Sequence, residues 1–164
     1  MHLRERYTTR PEGNTMKQLS RLVIPGVALL FAVSALAAGQ ATPDEAKAMA
    51  IKAAEYLKSV GSEKAFAAFD AKDGPWHDRD LFVVVLDAKG VMVAHGTNAG
   101  LIGRTVLDLR DVDGKPFNRD WIAVQDTGWV NFKWQNPLTK VVEPKTCYVI
   151  HVGDDWVGVG AYAQ

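Results

Sequence analysis

GWVNFKWQNPLTKVVEPKTCYVIHVGDDWVGVGAY, residues 128–162, holds three runs rich in aromatic and β-branched residues, at 129–134, 144–152 and 156–162. Turn chemistry at Asn136-Pro137 and Gly153-Asp154 separates them, so the stretch reads as three consecutive antiparallel strands. Three of the chain's five tryptophans lie here, close in sequence to Phe132, Lys133, Lys145 and Tyr148. A sheet face of this composition can offer both an apolar wall and a fixed positive charge, which are the ingredients of a small-ligand pocket.

Upstream, residues 81–86 are almost unbroken apolar, 91–94 form another such run, and Asp87-Ala88-Lys89-Gly90 joins them, which predicts a hairpin. Together the two groups make five strands. No helical pattern separates the strands within either group, so the sheet is expected to be antiparallel and the fold class α+β. Ahead of the hairpin, Thr42-Pro43-Asp44-Glu45 combines an N-cap, a proline at the first helical position and a capping box. Ala46, Met49, Ala50, Ala53, Leu57 and Val60 then recur at helical spacing up to Gly61. Because this stripe is mostly alanine, the long N-terminal helix is expected to lie flat across the sheet. Ser62-Glu63 starts a shorter helix through Phe66 and Phe69, and residues 72–80 read as a loop.

Residues 95–126 show no strong strand signal; Pro116 is expected to start a helix with Phe117, Trp121 and Val124 on one face. This crossover has to pass over the face of the sheet that the N-terminal helix leaves free. A cavity between crossover and sheet is the natural place for a ligand.

A chain of 164 residues, 48% of them hydrophobic, supports one domain with a real core. The formal charge is zero but unevenly placed: residues 1–37 carry five Lys/Arg and two Asp/Glu, while residues 38–164 carry fourteen and seventeen, a net −3. No basic stripe remains to neutralise phosphates, which argues against a nucleic-acid partner. The asymmetry follows from residues 22–36 (LVIPGVALLFAVSAL), an uncharged run of fifteen preceded by Lys17 and Arg21 and followed by Ala35-Leu36-Ala37. It falls short of the roughly 18–20 apolar residues that span a bilayer. Residues 1–37 are therefore expected to be a secretory signal peptide, with Met16 as an alternative start, and residues 38–164 a single periplasmic domain.

Cys147 is the only cysteine, which excludes an intrachain disulfide, a C-x-x-C-H haem attachment and cysteine-based zinc sites. It reads as a small buried hydrophobe, and no cofactor is expected. Ser59 and Ser62 lie at helix ends, and H-E-x-x-H, P-loop and G-x-S-x-G motifs are absent. Catalysis is not expected; metal-assisted chemistry through His77, His95 and His151 is the one enzymatic alternative.

Several blocks together closely resemble the single Cache domains of the second type. They are 80–87 (DLFVVVLD), 90–96 (GVMVAHG), Asn98, 101–103 (LIG), Asp108-Leu109, 113–117 (DGKPF), 128–134 (GWVNFKW), Asn136-Pro137, Glu143-Pro144-Lys145, Tyr148 and 158–160 (GVG). Cache domains are extracytoplasmic, PAS-like sensor modules of bacterial chemoreceptors and sensor kinases. The resemblance runs from about Thr42 to the C-terminus and implies a PAS-like Cache fold. Its parts would be a five-stranded antiparallel sheet, a long N-terminal helix on one face and a helix/loop crossover on the other. It also implies a pocket for small organic ligands, often short carboxylates. Phe132 stands where the family usually has tyrosine, and Gln135 where proline is usual. Modules of this family usually sit between two membrane-spanning helices. This chain shows no second hydrophobic span before Gln164, so it is similar to stand-alone soluble members that would signal through a separate membrane receptor or kinase. A non-binding interaction domain with a filled pocket remains the alternative.

The candidate ligand-binding residues are His95, Arg119, Trp121, Phe132, Trp134, Lys145 and Tyr148. Lys145 and Tyr148 are three apart on one strand and point to opposite faces unless a bulge intervenes. Lys145 reads either as a ligand contact or as a solvated strand lysine, and Tyr148 as core with its hydroxyl at the cavity edge. His95 reads either as a donor to a carboxylate or as an organiser of loop backbone. Phe132 and Trp134 share a face and could form the apolar wall or simply core. Trp121 reads as core, and Arg119 as a surface residue able to pair a carboxylate. Gly158 and Gly160 alternate with Trp156 and Tyr162 and are expected to receive the alanine-rich helix, with a ligand at that position as the second reading. Asp108, Asp111 and Asp113 lack calcium-loop spacing and read as solvated turn carboxylates. A tryptophan-rich edge strand would allow a homodimer, and nothing in the sequence selects an oligomeric state.

Overall fold

The computed structural model describes residues 39–163; the expected signal peptide lies outside the described residues. The first helix, α1 (Pro43–Val60), begins as the capping box predicts: the Thr42 hydroxyl accepts the Glu45 N–H at 3.2 Å, and the Glu45 carboxylate accepts the Thr42 N–H at 2.7 Å. Such caps stabilise a helix by about 1 kcal/mol. Gly61 closes it with φ +81°, a left-handed value that favours glycine, and its N–H donates to the Leu57 carbonyl. The second helix, α2 (Ser62–Asp70), follows directly.

The strands are β1 (His77–Asp78), β2 (Leu81–Asp87), β3 (Met92–His95), β4 (Thr127–Gln135), β5 (Val142–Val152) and β6 (Asp155–Tyr162). The five expected strands are all present. The two-residue β1 is an addition within the segment read as a loop, where His77 and Asp78 pair with Phe82 and Leu81. The order across the sheet is β1-β2-β6-β5-β4 with β3 also on β2, and every pairing is antiparallel. The last strand therefore sits at the centre, between the hairpin and the β4–β5 pair.

Strand alternation divides the buried residues into two layers. Leu81, Val83 and Val85 of β2, Ile150 of β5 and Val157, Val159 and Ala161 of β6 pack against Ala46, Ala50, Ala53, Ala54 and Leu57 of α1 and Phe69 of α2. The opposite face carries Leu86, Val130, Phe132, Cys147, Val149 and Trp156, covered by Val106, Phe117 and Trp121 of the crossover. The crossover helix, α3 (Phe117–Ile122), starts one residue later than expected, with Pro116 as its N-cap, and Val124 lies beyond its end. Asp111 corrects the reading of solvated turn carboxylates. It is 8% exposed and accepts the N–H groups of Asp113, Lys115 and Lys133, so it fastens the crossover to edge strand β4.

Candidate functional site

The crossover and the sheet enclose a cavity with about 40 Å³ of free space. Phe82 and Val84 of β2, His95 of β3, Phe132 and Trp134 of β4 and Lys145 and Cys147 of β5 line it from the sheet side, and Phe117, Asn118 and Trp121 of α3 cover it. Its walls are held by ring contacts. Phe117 and Phe132 stack with centroids 4.0 Å apart and planes 7° from parallel, and Trp134 meets Phe117 edge-on at 5.4 Å. An adjoining depression of about 200 Å³ shares Phe82, His95, Leu101 and Trp134 with the cavity and extends to Asn98 and Lys140.

The glycines of β6 explain why there is room. Gly158 and Gly160 were expected to receive α1, but alternation places them on the opposite face with Trp156 and Tyr162, where they line the cavity. A Cβ at Gly158 would overlap the Trp121 ring, so the indole rests directly on the β6 backbone. Its Nε1–H donates to the Trp156 carbonyl at 3.3 Å. A Cβ at Gly160 would overlap Cys147 Sγ and come within 2.5 Å of Lys145 Cε. The gap at Gly160 is thus the channel along which the lysine stem runs.

Lys145 is 5% exposed, which removes the solvated alternative. Its Nζ lies 4.2 Å from the Phe82 ring centre and 4.5 Å from that of Tyr162, so the ammonium sits between two π faces. It donates one long hydrogen bond, 3.4 Å, to the Tyr162 hydroxyl, and that hydroxyl donates at 2.8 Å to the Gln135 carbonyl. Among the described residues it makes no ion pair. Burial lowers its pKa from the ordinary lysine value, opposed by the charge of the neighbouring Asp80.

His95 performs the loop-organising role and faces the cavity at the same time. Its Nδ1 accepts the N–H groups of Asn98 at 3.0 Å and Thr97 at 3.3 Å, which assigns the proton of the neutral ring to Nε2. The ring stacks on Phe82 at 5.1 Å. Burial, reinforced by the Lys145 charge, depresses its pKa to about 4, so it is neutral near pH 7. Asn118 spends its Nδ2 on the Val106 carbonyl at 2.8 Å. Burial pushes the Cys147 thiol up to about 11, which keeps it protonated.

Of the seven candidates, His95, Trp121, Phe132, Trp134 and Lys145 line one cavity. Arg119 points away from it: its side chain is 60% exposed and pairs with Asp108. Tyr148 lies on the α1 face, against Trp129 at 4.8 Å and under Lys47 Nζ at 5.0 Å. The β4–β5–β6 register runs without a bulge, so nothing rotates Tyr148 towards Lys145. Phe82, Asn118, Gly158, Gly160 and Tyr162 complete the environment and were not among the sequence candidates. Alternation along β2 is the signal that could have identified Phe82; Gly160 follows only from its pairing with Cys147, which the sheet register sets. Among the described residues, no three His, Cys, Asp or Glu side chains group to hold a metal ion.

An antiparallel sheet with a long helix on one face and a crossover on the other is the Cache/PAS-like sensor-domain fold. The chain belongs to the single Cache domain 2 family, which it matches over residues 14–164. Solved structures share the fold. One is a methyl-accepting chemotaxis protein from Vibrio parahaemolyticus RIMD 2210633, with a TM-score of 0.63 and 22% identity over 73% of this chain and 86% of that one. Another is a periplasmic sensor domain of a chemotaxis protein, with a TM-score of 0.57 and 24% identity over 74% and 90%. A third is a Cache chemosensory domain described for carboxylic acid recognition, with a TM-score of 0.61 and 22% identity over 74% and 92%. No curated protein matches the chain. Among the described residues no helix is long and apolar enough to cross a membrane.

Proposed function

We propose that this chain is a periplasmic sensor domain that binds a short monocarboxylate between Lys145 and His95 and acts through a separate receptor or kinase. The observation that carries this reading is the buried Lys145 ammonium without an ion-pair partner. A buried cation with no direct ion pair, whose burial the Asp80 charge offsets only in part, is costly, and a ligand carboxylate would offset the remainder while accepting from both Nζ and His95 Nε2–H. The cavity holds one cation and the rest of its lining is mainly apolar, so the second charge of a dicarboxylate would be unmatched. The small free space, about 40 Å³, favours the shortest acids and lies well below the usual range for drug-sized ligands.

Isothermal calorimetry of the purified protein against acetate, propionate, butyrate, succinate and amino acids tests this directly. Saturable heat with the monocarboxylates and none with succinate is expected; a flat response to the whole series would remove the reading.

The small volume also favours a second reading, an interaction domain whose pocket is closed by Phe117, Phe132 and Trp134. Under that reading Lys145 is a buried structural cation, and the same calorimetry returns no heat. Export through residues 1–37 and the division at residue 38 belong to the proposal, and N-terminal sequencing of the exported protein checks them.

A further inference from the structure

We infer that Asp80 couples occupancy of the cavity to the start of α1, acting as a positioning residue between Lys145 and the backbone just before the helix. The inference rests on the carboxylate reading above. Asp80 has no exposure, and its two oxygens are used unequally. Oδ1 accepts the Ala41 N–H at 2.6 Å, whereas Oδ2 is buried with no hydrogen-bond partner. A buried carboxylate oxygen left in this way is costly, and it persists where a nearby opposite charge compensates. Asp80 lies two residues before Phe82, whose ring carries the Lys145 ammonium, and its charge acts on that ammonium.

The other end of the connection is equally specific. Ala41 immediately precedes the N-cap Thr42. Arg79, next to Asp80, pairs with Glu45 at 2.6 Å, and Glu45 is the residue that completes the capping box. Two consecutive side chains therefore hold the first turn of α1, and one of them also feels Lys145. An anion placed on Lys145 would neutralise the field that compensates Oδ2. Asp80 would then be left with Ala41 N–H as its one charge-assisted bond.

The test is an NMR titration of the ¹⁵N-labelled full chain with propionate, following the Ala41 amide and the indole resonances of Trp121 and Trp134. Propionate is expected to shift the indole signals. In step with that occupancy, the Ala41 amide is expected to move downfield and its hydrogen exchange to slow by roughly threefold or more. Asp80→Asn keeps an acceptor for Ala41 but removes the charge; it should bind propionate at least as tightly, with the Ala41 response lost. Should that variant fail to fold, Lys145→Met tests the same path, since excess propionate must then leave Ala41 unmoved. Indole shifts without any change at Ala41 would overturn the coupling and leave the carboxylate reading standing. An Ala41 response that survives in either variant would also overturn it. Absence of indole shifts with any monocarboxylate would remove both.

Discussion

The Lys145 ammonium lies 4.2 Å from the centre of the Phe82 ring, although β6 separates the strands on which the two residues stand. The lysine stem crosses β6 at Gly160, where a side chain would collide with Lys145 Cε. One missing Cβ on the central strand therefore determines where the cavity's cation resides.

Gly160→Ala is expected to displace that stem. Overpacking of this kind costs about 1–3 kcal/mol of stability. The substitution should lower the melting temperature and weaken propionate binding, read by calorimetry on the folded fraction. Unchanged affinity would show that Lys145 does not need its channel.

Lys145→Met keeps most of the apolar stem and removes the charge. Loss of a charge-assisted contact of roughly 1.5–3 kcal/mol should weaken propionate more than tenfold. Stability should fall, because the buried Asp80 Oδ2, which has no hydrogen-bond partner, loses the opposite charge that compensates it. A melting curve and a titration on the same sample separate the two effects.

The His95 pKa, depressed to about 4, makes a specific pH prediction. Between that value and the ordinary histidine value of about 6.5, the unfolded chain binds the extra proton and the folded chain does not. Stability should therefore rise with pH through this window, by at most about 1.4 kcal/mol per unit, and flatten above it. Carboxylates with lowered pKa values, such as Glu45 and Asp78, lose their contribution at still lower pH, as they become protonated. Denaturant midpoints from pH 4 to 8 should show the slope in the native sequence and lose most of it in His95→Gln.

Arg119→Ala should leave propionate affinity unchanged and stability within about 0.5 kcal/mol, since the Arg119–Asp108 pair is exposed. Tyr148→Phe should likewise leave affinity unchanged, because the ring lies on the α1 face. A tenfold loss of affinity in either variant would mean that the ligand site is elsewhere.

Much of the architecture was legible because it rests on short-range chemistry. The Thr42–Glu45 capping box, the close at Gly61 and the two strand groups each follow from residues adjacent in sequence. Strand alternation also separated Lys145 from Tyr148 correctly, since a period of two needs no knowledge of neighbours. The face assigned to Gly158 and Gly160 was not legible. An x-Gly-x-Gly strand announces close approach but does not say from which side; register with β5 and β2 decides that Trp121 and Lys145 fill the space.

The sequence by itself determined the order of elements and the antiparallel class, because periodicity and turn chemistry act within a few residues; of the seven candidate residues it named, five meet in one cavity. Only the tertiary structure decided that Lys145 is buried between Phe82 and Tyr162, that His95 lines the cavity while its Nδ1 accepts from the loop backbone, and that Asp80 holds Ala41. These are contacts between residues 17 to 63 positions apart, or a tautomer set by surrounding backbone, and the position of central strand β6 brings most of them together.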